Sequence, residues 1–214
     1  SCDDTGGDYV DIIAPPGGDS HRLMFAIGDV SGHGIGPALL MAGARGALRA
    51  MTLSRRNLAD RAERLNQLVL NDAADSGHFM TLFMAEMDAV DGTLQWVRAG
   101  HDPAYLFDPQ SQQFLELDGP GVALGLTDGA GYNPRFTSFL PGQILIMATD
   151  GIWETRNREN AIFGKKRLRE VIRSHADQSA EVIKTHIIEA VSDYRGGARQ
   201  TDDITLMVVQ RLQG

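Results

Sequence analysis

The chain has 214 residues, of which 43% are hydrophobic, and it carries a formal net charge of -8. This length and composition allow a sizeable core in one domain or two, and the negative charge argues against a nucleic-acid partner. No apolar run reaches the roughly 20 residues of a membrane span, so we expect no membrane contact by this domain. The only cysteine, Cys2, excludes an internal disulfide and a cysteine metal cage, which favours a cytoplasmic location.

The first third of the chain predicts two strands followed by two helices. The strands are expected at Asp8–Ile13 and Leu23–Ile27, on either side of a PPGGD turn. A helix should begin near Pro37, and because its sequence PALLMAGARGALRAM is apolar almost all round, we expect it to be buried. The second helix, over Leu58–Leu70, repeats apolar residues along one face of a 3.6-residue period.

The rest of the chain predicts a run of strands, a pair of helices and a final strand. The strands are MTLFMAEMD, TLQWVRAG, AYLFD, QFLEL, Arg135–Phe139 and Ile144–Ala148. The helices are Lys166–His175 and Ala180–Tyr194, the second with Ser179 as its N-cap and Gly196 beyond its end. The final strand is ITLMVVQ.

Strands that come in runs with hairpin-length turns, and helices that come in pairs, predict an α+β fold. Two antiparallel sheets covered by helix pairs would bury every amphipathic face. The chain contains no linker-like segment and no internal repeat, so we predict a single domain over residues 1–214. Its abrupt opening, SCDDTGGDYVD, indicates a domain excised from a longer protein, although Ser1 and Cys2 are equally compatible with a cloning remnant.

Acidic residues stand at the ends of several predicted strands, most of them beside glycine: Asp8, Asp29, Asp150, and Asp202 with Asp203. If they converge, each pair of charges about 4 Å apart costs on the order of 4 kcal/mol, so the group would need a cation. Oxygen-only ligands select hard ions such as Mg²⁺ or Mn²⁺, and two such ions can activate water and clamp a phosphoryl group. The alternative for each aspartate taken singly is a turn residue.

Three glycines, Gly32, Gly34 and Gly36, follow the second acid and raise the alternative of a nucleotide-binding loop. Their spacing is G-x-G-x-G, not the G-x-G-x-x-G of dinucleotide-binding folds, and the chain has no P-loop lysine. We therefore expect these glycines to let the backbone approach metal ions.

Taken in order, seven motifs resemble the PP2C-like (PPM) Ser/Thr protein phosphatases, in the SpoIIE/RsbU-type bacterial branch. They are GGDY (6–9), IGDVSGHG (27–34), PALLMA (37–42), RAGHDPAYL (98–106), LPGQILIMATDGIWETRN (140–157), FGKKRL (163–168) and TDDITLMV (201–208). The resemblance implies an α-β-β-α sandwich of two antiparallel sheets flanked by helix pairs. It also implies a centre of two Mn²⁺ or Mg²⁺ ions at one edge.

The resemblance implies these metal ligands position by position. Asp29 would bridge both ions, with the backbone carbonyl of Val30 on one of them. Asp150 and Asp202 would complete the other ion, and Asp8 would hold the second ion directly or through water. Asp29 and Asp150 are the residues on which catalysis should depend most.

Three further residues have weaker assignments. Asp203 is the alternative to Asp202, because adjacent acids make the alignment ambiguous. His33 is the candidate proton donor to the leaving group, although the DVSGHG loop that carries it is longer than the DGHGG loop of the eukaryotic relatives. His101, in AGHDP, is expected to fix a hairpin turn. Those relatives also place a phosphate-gripping arginine ahead of the first acidic motif, and this sequence starts too late to show one.

The resemblance predicts a metal-dependent protein serine/threonine phosphatase that hydrolyses a phosphoserine or phosphothreonine monoester. Its substrate should be a phosphorylated protein like an anti-anti-sigma factor, in bacterial partner-switching signalling. A regulatory sensor domain would belong to the full-length protein, and a homodimer is left open. The alternatives are a weak or inactive phosphatase-fold module that docks a regulatory partner, and a metal-dependent nucleotide hydrolase or phosphodiesterase.

Overall fold

The computed structural model describes residues 6–14, 21–53, 57–74 and 76–212. Cys2 and the predicted PPGGD turn lie outside these ranges. Within them the strands are β1 (Asp8–Ile13), β2 (Arg22–Val30), β3 (Met80–Asp88), β4 (Thr93–Ala99), β5 (Ala104–Asp108), β6 (Gln113–Leu117), β7 (Arg135–Ser138), β8 (Ile144–Ala148) and β9 (Leu206–Gln210). The helices are α1 (Ile35–Thr52), α2 (Leu58–Ala73), α3 (Gly151–Glu154), α4 (Gly164–Ser174) and α5 (Ala180–Arg195).

The chain divides into two compact units, each built on one antiparallel sheet. Unit 1 comprises Ser1–Pro103 and Asp118–Phe139, and unit 2 comprises Ala104–Leu117 and Leu140–Gly214. The predicted α+β class with two antiparallel sheets and paired helices is confirmed. The assignment of residues 1–214 to a single domain stays a prediction.

The sheet of unit 1 has the strand order β1-β2-β3-β4-β7. Its central strands are almost continuously apolar and buried, as expected of strands with neighbours on both sides. Helix α2 buries the predicted face, including Leu58, Ala62, Leu65 and Val69, in the same core cluster as residues of β2 and β3. This packing fixes β2, the strand that ends in the acidic motif, against the core of the unit.

The prediction that α1 is buried all round is wrong. Only one face is buried, formed by Pro37, Leu40, Ala44 and Leu48, and the side chain of Leu39 is 67% exposed. The buried residues recur at three- and four-residue intervals because a helix beside a sheet contacts it along one stripe. Apolar composition on the remaining sides does not by itself supply a partner. Neither α1 nor any other helix in the described part of the chain is long and apolar enough to cross a bilayer.

The sheet of unit 2 has the strand order β6-β5-β8-β9, and α4 and α5 bury residues such as Leu168, Ile172 and Ile187 in its core. The predicted N-cap is confirmed, because the side chain of Ser179 accepts a hydrogen bond from the N–H of Val182. The predicted end of α5 is confirmed as well. Gly196 adopts the left-handed conformation, with φ of 56°, that ends many helices.

The buried carboxylate of Asp11 in β1 ties that strand to α1. It accepts hydrogen bonds from Arg49 at 2.5 and 2.6 Å and from the hydroxyl of Tyr9 at 3.2 Å, and Arg45 lies 3.6 Å away. Burial alone would raise the pKa of Asp11, but the Arg49 hydrogen bonds and charge outweigh it and hold the pKa below its usual value. The ionised carboxylate therefore stabilises the folded unit.

We expect Asp11→Asn to lower the free energy of unfolding by about 1–3 kcal/mol at neutral pH, because charged hydrogen bonds are lost from a buried position. A folded pKa below the unfolded one stabilises the protein above the unfolded value, and that stability is lost as the pH falls through the folded pKa. Urea titrations should therefore show the difference between wild type and variant at pH 7 and its loss in acid. An equal difference at both pH values would contradict this account.

Candidate functional site

Asp8 and Asp29 face each other across the first pair of strands in unit 1. They are directly opposed in the antiparallel register of β1 and β2, and both side chains are half-buried. Directly opposed residues point to the same face of a sheet, where two like charges are destabilising. The structure therefore brings the first two predicted ligands together, in an arrangement that a bound cation would stabilise.

The backbone of Gly7 packs closely against this pair. A β-carbon at Gly7 would lie 2.5 Å from the carbonyl oxygen of Val30 and 2.9 Å from Oδ1 of Asp29. Val30 is itself held in place by a 3.2 Å hydrogen bond from its N–H to the carbonyl of Gly7. Only glycine therefore fits at this position, and the close packing places the carbonyl of Val30 and the carboxylate of Asp29 side by side, as their predicted use as ligands requires.

The loop after Asp29 is shaped by its glycines. Gly32 and Gly34 have positive φ values of 89° and 98°, which L-residues rarely adopt, whereas Gly36 lies within α1. The loop is fastened to the start of β3 by the N–H of Ser31, which donates to the carbonyl of Phe79 at 2.9 Å. The side chain of His33 is exposed on this loop. Its role as proton donor stays a prediction.

His101 lies behind the Asp29 strand. Its Nδ1 is 3.0 Å from the hydroxyl of Thr81, and that hydroxyl is 3.4 Å from the backbone carbonyl of Asp29. The carbonyl of His101 also accepts from Arg98, in keeping with the expected turn-fixing role. The buried imidazole therefore does more than fix a turn, because it supports the residue directly opposite Asp29 in β3.

The acidic motifs of unit 2 lie where β8 ends and where β9 is about to begin. Asp150 lies between β8 and α3. The segment that carries it is hydrogen-bonded to the segment before β9, because the N–H of Thr149 donates to the carbonyl of Thr205 at 3.0 Å. The backbone of Gly151 packs directly against Asp203, because a β-carbon there would lie 1.9 Å from the Asp203 carbonyl oxygen. The third and fourth acidic motifs thus contact each other through their backbones, and shared coordination of one ion by Asp150 and Asp202 stays a prediction.

Asp202 and Asp203 are both exposed, and they differ in what their groups do. The side chain of Asp202 accepts a 2.8 Å hydrogen bond from the N–H of Asp203, and Asp202 lines a small cavity with Gly151. Asp203 packs its backbone against Gly151. This arrangement favours Asp202 as the ligand and Asp203 as its support, and the choice stays a prediction.

In the described ranges, no group of three or more His, Cys, Asp or Glu side chains is arranged to hold a metal ion. The predicted ligands Asp8, Asp29 and the Val30 carbonyl belong to unit 1, Asp150 and Asp202 belong to unit 2, and all of them supply oxygen donors. That donor set fits Mg²⁺ or Mn²⁺ and is unsuited to softer metals. Assembly of all four acids around two ions stays a prediction.

Two contributions to the site could not be read from the sequence. Thr81 is the register partner of Asp29, and its hydroxyl links His101 to Asp29 across three separate chain segments. The sequence shows His101 in the AGHDP turn motif but not its link to Thr81, because strand register is not encoded in a local motif.

The family described as stage II sporulation protein E (SpoIIE) matches residues 19–212. Phosphoserine phosphatase RsbU of Bacillus subtilis (strain 168) is 25% identical over 205 residues, covering 96% of this chain and 59% of that protein. This chain spans between 36% and 59% of the length of the three curated relatives compared.

Solved structures share the fold. The SiaA-PP2C domain of Pseudomonas aeruginosa superposes with a TM-score of 0.83 at 22% identity, covering 96% of this chain and 80% of that one. A structure of RsbX in complex with magnesium gives a TM-score of 0.69 at 18% identity, covering 95% of this chain and 86% of that one. At these identities the likeness establishes the architecture.

Proposed function

We propose, from the premise that this chain belongs to the SpoIIE family of PP2C-type phosphatase domains, that it is a metal-dependent protein serine/threonine phosphatase. The observation that carries the proposal is the opposed pair Asp8 and Asp29, with the carbonyl of Val30 packed beside the Asp29 carboxylate at Gly7. Two carboxylates opposed on one sheet face are an arrangement that a hard cation stabilises. The name of the relative RsbU, a phosphoserine phosphatase, supports the reaction class.

The ligand assignment follows the residues already described. Asp29, the Val30 carbonyl and Asp8 would hold metal in unit 1, and Asp150 with Asp202 would supply ligands from unit 2. When bound, two Mn²⁺ or Mg²⁺ ions supply an activated water and neutralise charge on the phosphoryl oxygens. The magnesium in the RsbX structure supports a divalent ion of this kind.

The chain's own groups would do three things for the reaction. Asp29 is held at a fixed position by the β2 ladder and by Thr81 against its carbonyl, so it would orient the bound centre. The glycines around it leave room for a phosphoryl group to approach the backbone. His33, exposed on the neighbouring loop, would protonate the departing serine oxygen.

The substrate we propose is a phosphorylated protein like an anti-anti-sigma factor, within a partner-switching pathway of a bacterial cell. The aligned segment covers only 59% of RsbU and 46% of RsbP. This supports our proposal that the full-length protein also contains a regulatory sensor domain. The cytoplasm is the compartment we propose for the reaction.

The test is hydrolysis of p-nitrophenyl phosphate and of a phosphoserine peptide with Mn²⁺, with Mg²⁺ and with excess EDTA. We expect turnover with either ion and a loss of at least about 100-fold in EDTA, because metal ions contribute several kcal/mol to the stabilisation of such transition states. Undiminished turnover in EDTA would overturn the metal-dependent mechanism.

The same assay separates the alternatives. A module that only docks a partner would bind Mn²⁺ in calorimetry without hydrolysing either substrate. A phosphodiesterase would prefer bis-p-nitrophenyl phosphate to the monoester. Clear preference for the monoester would support the phosphatase.

A further inference from the structure

We propose that an arginine-lined cavity in unit 2 binds an acidic side chain of the polypeptide that carries the substrate phosphoserine. The inference rests on the proposed function and adds a sequence preference to it. The cavity has a volume of about 60 Å³ and is bordered by Glu154, Arg156, Arg195, Arg199, Thr201 and Asp202. A single water needs about 10–15 Å³ by the same measure, so the cavity has room for a carboxylate group.

The cavity concentrates positive charge in a chain whose net charge is -8. Three arginines line it. A fourth, Arg158, lies near the adjoining loop that contains Gly197, and its guanidinium nitrogen would be 2.9 Å from a β-carbon at Gly197. Arg22, Arg49, Arg61 and Arg169 elsewhere in the protein are each neutralised by an acid. Within the described ranges, no acid forms an ion pair with Arg158 or with any of the three arginines that line the cavity.

Neutral groups hold two of these arginines in place. Nη1 of Arg195 donates to the side-chain oxygen of Gln200 at 2.7 Å, and the Gln200 amide donates to the carbonyl of Asp202 at 2.9 Å. Nη1 of Arg156 donates to the carbonyl of Asn160 at 3.0 Å. These bonds orient the guanidinium groups without cancelling their charge, so they remain available to an anion.

Unused donors remain at the cavity. The Nε–H of Arg195 is buried and has no hydrogen-bond acceptor in the described part of the chain. Arg199 is exposed and forms no hydrogen bond or ion pair with any described residue. Guanidinium groups bind carboxylates through paired N–H donors, which is the chemistry an acidic side chain would satisfy.

The position of the cavity relates it to the proposed reaction. Its lining includes Asp202 and Gly151, and Gly151 directly follows Asp150 in the chain. Asp150 and Asp202 are the two acids that unit 2 would contribute to the metal centre. Successive residues of an extended peptide advance by about 3.3 Å, so a side chain one or two residues from the phosphoserine could enter it. The two acids at the cavity, Glu154 and Asp202, oppose this binding, but a metal ion on Asp202 would offset its charge.

The experiment uses four synthetic peptides of equal length, with and without phosphate on the central serine, flanked either by Asp and Glu or by Asn and Gln. Binding of fluorescein-labelled unphosphorylated peptides is followed by anisotropy in Mn²⁺, and hydrolysis of the phosphorylated pair is followed by phosphate release. We expect the wild type to prefer the acidic member of each pair. Arg199→Gln should lower that preference about threefold to fivefold, since one exposed charge pair is lost.

Lys166→Gln is the matched control, because Lys166 lies on α4 away from the cavity lining and its side chain is 92% exposed. It makes the same change of charge and should keep the wild-type preference. The preference should also weaken at high salt, since exposed charges are screened.

Equal binding of both peptides by the wild type, or a preference that Arg199→Gln retains, would overturn the cavity assignment. Equal hydrolysis of the acidic and neutral phosphopeptides would also overturn the cavity assignment, but it would support the proposed phosphatase function. Tighter binding of the acidic peptide without any hydrolysis would support the cavity and contradict the phosphatase.

Discussion

Replacing Asp29 by asparagine should lower turnover of a phosphoserine peptide by at least about 1,000-fold, equivalent to about 4 kcal/mol of transition-state stabilisation. Asp29 is the proposed ligand common to both ions, and the amide removes its charge while keeping its shape. The backbone of Asp29 stays in the ladder between β1 and β3, so the fold should persist. Steady-state kinetics in Mn²⁺, with circular dichroism to check the fold, measures both expectations.

Asp72→Asn provides the matched control, because Asp72 is an exposed acid of α2 in the same unit. Its turnover should stay close to wild type. Near-full activity of Asp29→Asn would rule out its assignment as the bridging ligand. Asp150→Asn should behave like Asp29→Asn but regain part of its activity at high Mn²⁺, because it would weaken one ion's site without removing the shared ligand.

Gly151→Ala should damage both stability and activity. A β-carbon there would lie 1.9 Å from the Asp203 carbonyl oxygen and 2.9 Å from the carbonyl carbon, and backbone atoms cannot rotate away as a side chain can. The overlap would push the segment before β9 away from the end of β8. We expect the free energy of unfolding to fall by about 1–3 kcal/mol and kcat to fall about 100-fold, because small misplacements of catalytic groups are costly.

Gly43→Ala tests whether that loss comes from the contact and not from the loss of glycine. Gly43 lies within α1, and a β-carbon there would meet nothing within 4 Å. Alanine should raise stability by about 0.5–1 kcal/mol at this position, because it favours the helix. Thermal unfolding and hydrolysis of the phosphoserine peptide should be measured for both variants. We expect Gly151→Ala to lose stability and activity and Gly43→Ala to lose neither. Unchanged stability and activity of Gly151→Ala would refute the close packing of the two acidic motifs.

Much of the fold could be predicted because local sequence patterns indicate most of its strands and helices. The predicted bounds of β1 and β8 are confirmed to the residue, since turn-forming residues flank both segments in the sequence. The errors lie where a local signal is missing. Helix α1 begins at Ile35, two residues before the proline used to place it, and β9 begins at Leu206, two residues later than predicted. The four-residue α3 is too short to show a period.

The site was predictable only in part, for a related reason. Acids at strand ends are visible in the sequence, and the register confirms that Asp8 and Asp29 are neighbours. The links between distant segments are not visible, because they depend on which strands pair and in what register. The support of Asp29 by Thr81 and His101 is such a link, and so is the convergence of Arg156, Arg195 and Arg199 on one cavity.

The place of β1 in its sheet has a consequence for metal retention. Within the described residues β1 is the edge strand and pairs with β2, so opening of β1 would separate Asp8 from Asp29 without breaking the pairing of β2 with β3. If Asp8 holds an ion as proposed, loss of that ion would require only the free energy of opening this edge strand. The hydrogen bond from Arg49 to Asp11 opposes that opening, because it joins β1 to α1. The lifetime of the ion in unit 1 would be governed by amide opening along β1, not by the unfolding of the whole unit.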